Sequence, residues 1–254
     1  MSLVVCSRKV KSVLSSTGIP GYDYCLNPYT GCSHACRYCY ATFMARYSGH
    51  SEPWGSFADV KSNAPEVLER QLARAEKGSV FLSSVTDPYQ AIEADYGITR
   101  RCLALLLSRR FPVGILTKSP LVLRDLDLIG RGEEIEVGIT LTTDDDGIRE
   151  LFEPGAPPVR ERLDALKKLF RSGVSTYAFI GPVLPMNPEA LLKSIRPYVR
   201  RVFIDRMNYV AKTKALYRRE GLEQWLNGDL LEETLQSLRE GLPPEQVTLL
   251  AGTW

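Results

Sequence analysis

Cys32, Cys36 and Cys39 stand within eight residues of one another as C-x3-C-x2-C, with Gly31 before them and Tyr38 and Tyr40 interleaved. The other three cysteines, Cys6, Cys25 and Cys102, are scattered, unlike the dense pattern of a secreted disulfide scaffold. Three thiolates are one short of the four ligands a structural zinc takes, and the paired spacing of zinc ribbons is missing; His34 or His50 could supply the fourth. Three cysteines also leave one iron of a four-iron, four-sulfide cubane without a protein ligand. The amine and carboxylate of S-adenosylmethionine can chelate such an iron. One electron then cleaves the carbon-sulfur bond, giving methionine and a 5'-deoxyadenosyl radical. The spacing by itself leaves both metals open.

The elements that must position this loop recur as a strand-helix rhythm. Strands are predicted at residues 22–27, 79–85, 112–117, 135–142, 176–180 and 202–204, and helices at 65–77, 99–110, 120–129, 159–172 and 188–194. Strands such as Val80–Val85 and Val113–Thr117 lack strict polar alternation, as parallel strands covered on both faces do. In the fourth helix Val159, Leu163, Leu166 and Phe170 form the expected core stripe, with Arg160, Arg162, Lys167 and Lys168 on a solvated face. Six units between residues 22 and 209 average about 31 residues each, the size of a strand, helix and loops. The expected fold class is α/β: a partial (β/α)6 TIM-type barrel of parallel strands in one domain over 1–254, its core at about 22–209 and a helical C-terminal extension at about 210–254. Within the extension only 247–250 reads as a further strand. Residues 48–63 lack periodicity and read as an insertion in the first crossover.

Barrel enzymes place chemistry at the C-terminal ends of their strands, and polar or conformationally special residues gather there: Thr86 and Asp87, Lys118, Thr140 to Thr143, Gly181, Pro182 and Pro185, then Arg206 and Asn208. The spacing of the three cysteines after a strand is that of the radical S-adenosylmethionine enzymes. The stretches Asn27–Ala41 (NPYTGCSHACRYCYA), Ser84–Glu93 (SVTDPYQAIE), Ile115–Ser119 (ILTKS) and Leu151–Leu163 (LFEPGAPPVRERL) resemble the spore photoproduct lyase related group, over about residues 10–190. The resemblance implies a 4Fe-4S cluster on Cys32, Cys36 and Cys39 and S-adenosyl-L-methionine beside it. It places Thr86 and Asp87 at the ribose and amine region, Lys118 at the methionyl carboxylate, Thr140 near the ribose, and Tyr38 and Tyr40 near the adenine. It further implies a lyase-like or modifying enzyme, a one-electron donor such as flavodoxin or ferredoxin, and a substrate for which nucleic acid is the first expectation and a peptide or small metabolite the second. The spore enzyme's hydrogen-donating cysteine has no counterpart, since Ser83, Ser84 and Val85 stand there. Cys25 is the substitute donor candidate.

Composition narrows the rest. With 254 residues, 44% hydrophobic and 24% charged, the chain is long enough to bury a core without staples. A net charge of +2 gives no global pull toward nucleic acid or anionic lipid, so such a partner would need a local patch. The stripe at Tyr209 to Arg219 is one candidate, and a solvated helix is the plainer reading. Asp144 to Asp146 read as a charged loop rather than a hard-cation site. No apolar run approaches the roughly 20 residues of a membrane span, and a cytoplasmic protein with no membrane partner is expected. A zinc-binding interaction module, built on the three cysteines and a histidine, is the rival from another class.

Overall fold

The computed structural model describes residues 3–226 and 228–250. Strands are β1 (Val4–Arg8), β2 (Leu14–Ser16), β3 (Tyr24–Leu26), β4 (Tyr29–Thr30), β5 (Phe57–Lys61), β6 (Val80–Leu82), β7 (Val113–Thr117), β8 (Ile135–Thr140), β9 (Ser175–Ile180), β10 (Arg201–Ile204) and β11 (Val247–Leu249). Helices are α1 (Ala45–Ser48), α2 (Ala64–Leu72), α3 (Glu93–Tyr96), α4 (Ile98–Ser108), α5 (Leu126–Ile129), α6 (Asp146–Phe152), α7 (Val159–Arg171), α8 (Pro188–Ile195), α9 (Val210–Arg219) and α10 (Asp229–Glu240).

Eight strands form one sheet in the order β11-β10-β9-β8-β7-β6-β3-β2. From β3 to β11 every pairing is parallel, and only β2 joins antiparallel. The six predicted strands are β3, β6, β7, β8, β9 and β10. They form a parallel barrel wall that stays open among the described residues, because β2 and β11 do not pair. Alternate residues explain the absent polar alternation. Phe81, Leu116, Tyr177 and Phe179 line a central cavity, while Leu82, Ile115, Val137 and Ala178 belong to the buried core.

The predicted helical extension holds α9 and α10 and returns the chain to β11, a seventh parallel strand beside β10. Its last four residues lie outside the described ones. Residues 48–63 are not merely a loop: β5 is the centre of a second sheet, β1-β5-β4, whose partners come from the chain start and from Tyr29–Thr30. Its first four residues are buried, and local periodicity could not show this because β1 lies some fifty residues upstream.

The stripe predicted for α7 is corrected. Its buried residues are Val159, Arg162, Ala165, Leu166 and Leu169, while Phe170 is exposed and Leu163 only half-buried. Arg162, expected in solvent, is 1% exposed because a buried carboxylate, Glu153, waits 2.6 Å away. Such a pair lets a helix bury a charge that the apolar pattern alone would put outside.

Candidate active site

The cysteine loop leaves β3 and is pinned at both ends. Thr30 pairs with Asp59 of the second sheet, and Gly31 (φ +87°) follows at once. A Cβ at Gly31 would collide with the Phe57 carbonyl oxygen and ring, so both the turn and the close approach require glycine. Gly155 serves a close approach too: its N–H donates to the His34 carbonyl at 3.0 Å, and a Cβ there would run into the Ser33 carbonyl oxygen.

Cys32, Cys36 and Cys39 are free thiols that line a cavity of about 980 Å³. Tyr38, Tyr40, Thr86, Asp87, Lys118 and Thr140 line it as well, so the barrel brings together all nine residues predicted for cluster and cofactor. Gly181, Pro182, Arg206 and Asn208 complete the rim from the last strand ends. Cys25 is not among the lining residues. It lies beside Phe81 in the β3/β6 register, 3% exposed, and its thiol donates to Ser84 Oγ at 3.0 Å.

Burial pushes the Cys32 thiol up to about 12 and raises those of Cys36 and Cys39, so the trio stays protonated unless a cation bonds it. His34 lines the same cavity with its Nδ1 3.4 Å from Asp87, whereas His50 sits on the second sheet with Asp59 at 2.9 Å.

Asp87 is a latch. One carboxylate oxygen accepts from Tyr89 N (2.8 Å) and Thr117 Oγ1 (2.6 Å), and the other from Lys118 N (2.8 Å). It therefore joins the β6 and β7 ends to the cysteine loop through His34. Thr86 Oγ1 donates to the Gly31 carbonyl (2.6 Å) and accepts from Gln90 Nε2 (2.9 Å). Gln90, fully buried, also accepts from Ser33 N at 2.9 Å.

Glu153, 0% exposed, is the electrostatic centre. It accepts from the Tyr38 hydroxyl and from Thr142 Oγ1 (3.0 Å), pairs with Arg162 at 2.6 Å, and lies 3.7 Å from Lys118 Nζ. Burial works against its charge, yet Arg162, Lys118 and the Tyr38 hydroxyl hold its carboxyl down to about 2. In turn burial favours neutral Lys118, and Glu153 above all overcomes this to leave its ammonium above the ordinary lysine value. Tyr40 is 38% exposed, with its hydroxyl on the Ser84 carbonyl.

Sequence reasoning missed the roles of Gln90, Glu153, Arg162 and Lys212, although the first three lie inside the motifs quoted above. Lys212, taken for a solvated helix charge, reaches the Cys39 carbonyl and Thr42 Oγ1, both at 2.6 Å. The buried face of its helix includes Tyr217, packed on Phe152 at 4.8 Å. Asp144, Asp145 and Asp146 accept from backbone N–H groups of Asn187, of Gly147 and Ile148, and of Val159, which makes them loop and cap residues.

The model of the Radical SAM superfamily matches residues 26–196. A protein of Methanocaldococcus jannaschii is 38% identical over 205 residues, 80% of this chain and 77% of that one. A protein of Mycobacterium tuberculosis is 32% identical over 195 residues, 74% of this chain and 57% of that one, so the chain spans little over half of that relative. Among solved structures, a spore photoproduct lyase mutant with bound AdoMet and dinucleoside spore photoproduct has a TM-score of 0.68 at 15% identity, covering 97% of this chain and 81% of that one. At that identity the likeness is one of fold.

Proposed function

Because the chain belongs to the radical SAM superfamily, we propose that Cys32, Cys36 and Cys39 hold a 4Fe-4S cluster and that the adjoining cavity takes S-adenosylmethionine and then a substrate. The observation that carries this reading is the convergence of three free thiols and one charged lysine on a single cavity at the C-terminal strand ends. Cluster and S-adenosylmethionine supply, when bound, one-electron cleavage of a carbon-sulfur bond and a 5'-deoxyadenosyl radical that abstracts hydrogen.

The chain's own residues bind, orient and exclude water. Lys118 offers its ammonium to the methionyl carboxylate, a charge-assisted hydrogen bond made stronger by burial. Asp87 lines the cavity and fixes the Lys118 backbone at its wall. Thr86 and Gln90 hold the loop that carries Cys32, and Glu153 holds Tyr38. Thr140 and the Gly181–Pro182 stretch line the wall, and Phe81, Leu116 and Phe179 give it apolar surface that excludes water.

For the substrate we assign a nucleic acid. The shared fold with a lyase whose structure holds a dinucleoside supports this, as do the exposed rings of Tyr40 and Tyr209 at the rim, which offer stacking faces. A flavodoxin or ferredoxin type donor would deliver the electron. The test is anaerobic reconstitution followed by reduction with S-adenosylmethionine and deuterated oligonucleotides. About four irons and four sulfides per chain, with deuterium carried into 5'-deoxyadenosine, are expected. One zinc with no sulfide would overturn the cluster, and unlabelled 5'-deoxyadenosine would overturn the nucleic-acid assignment.

A further inference from the structure

Away from the cavity, the second sheet gathers a different set of donors. Cys6 on β1 and Asp59 on β5 are direct register partners in parallel strands, so their side chains share a face. His50, from the segment between α1 and β5, lies over that face with its ring stacked on Phe57 at 4.3 Å and 17°. One donor atom from each of Cys6, His50 and Asp59 lies within 4.8 Å of the other two. His50 Nε2 faces Asp59 at 2.9 Å, and its other nitrogen, Nδ1, is held by Glu52 at 3.1 Å. The His50 and Asp59 side chains are each only 5% exposed.

We propose that Cys6, His50 and Asp59 form a zinc site, with Glu52 orienting His50 from behind and water in the fourth position. Two features carry this. The donors are one sulfur, one imidazole nitrogen and one carboxylate oxygen, a set suited to a borderline ion in tetrahedral geometry. A carboxylate on the far nitrogen of a ligating histidine is the arrangement that fixes its tautomer and raises its basicity. Arg8 approaches Asp59 at 3.5 Å, with half its side chain exposed.

The site ties together β1, the segment that follows the cysteine loop, and β5. Asp59 also pairs with Thr30, two residues before Cys32, and Phe57 passes the contact on to Trp54 at 6.0 Å, which lines the cavity. A zinc held here by three side chains and a water clasps the second sheet behind the cysteine loop. It does not depend on what that loop binds.

The test uses the full chain after iron-sulfur reconstitution, loaded with Zn2+ and passed through metal-free buffer. About one zinc per chain should remain, and absorption at the zinc edge should show one sulfur at about 2.3 Å with nitrogen and oxygen neighbours. Cys6→Ser should lower zinc affinity more than about 100-fold, and Glu52→Gln by roughly 10- to 100-fold, with iron content unchanged. Where Cys6→Ser fails to fold, His50→Gln serves in its place. No retained zinc, a three-sulfur environment reporting capture by Cys32, Cys36 and Cys39, or retention unchanged in Cys6→Ser or His50→Gln would each overturn the proposal.

Discussion

Replacing Glu153 by Gln removes the one negative charge buried among Arg162, Lys118 and Tyr38. Arg162 is left 1% exposed with neutral acceptors only, the Gln amide oxygen, the Pro157 carbonyl (2.8 Å) and the Thr140 carbonyl (3.3 Å). Two routes give the size of the loss. Removing one partner of a buried ion pair costs about 3 to 5 kcal/mol, because the survivor is an uncompensated charge. The drop of the Glu153 carboxyl from 4.5 to about 2 corresponds to roughly 3 kcal/mol of preference for the charged form in the fold. Glu153→Gln should therefore lower the urea-unfolding free energy of the metal-free, reduced protein by about 3 to 5 kcal/mol. The double variant Glu153→Leu/Arg162→Met should recover more than half of that, since no orphan charge remains. A single variant within about 1 kcal/mol of the parent, or a double variant whose loss equals the sum of its singles, would refute the reasoning.

The same carboxylate sets an acid dependence. Because its folded value is depressed, its contribution is complete above 4.5 and disappears as pH falls through about 2; urea midpoints should fall more steeply over that window in the parent than in Glu153→Gln. Equal slopes would show that Glu153 is not the titrating group. Lys118→Ala should weaken S-adenosylmethionine binding by roughly 10- to 100-fold in equilibrium dialysis while iron and sulfide stay at parent levels. Loss of both together would make Lys118 a support of the fold instead. Gly155→Ala should displace the Ser33–His34 backbone and lower iron uptake, whereas Gly18→Ala, with nothing within 4 Å, should leave it unchanged. Equal iron uptake in the two variants would mean that the close packing of Gly155 on the loop does not matter.

How much of this was readable beforehand follows from the range of each interaction. All six predicted strands of the wall exist, four with ends trimmed by one to three residues and two, β9 and β10, starting one residue earlier, because strand and helix periodicity is local. The β1-β5-β4 sheet was unreadable because β5 lies in a stretch without periodicity and its parallel partner is remote. The same holds for Arg162: a pattern that sorts residues by polarity puts it in water, and only a buried carboxylate from another turn of the chain reverses that.

Sequence alone determined the chemistry on offer: three thiols at fixed spacing after a strand, a lysine and a threonine at later strand ends, and a chain rhythm that brings such ends to one mouth. Tertiary structure decided which charges are engaged. Asp87 is occupied by its own chain, Glu153 reaches Tyr38 from 115 residues away, and His50 leaves the cysteine loop for Cys6 and Asp59. The reason is physical. Spacing along a chain fixes which groups can share a loop, whereas the protonation and pairing of a buried group depend on neighbours that only packing supplies.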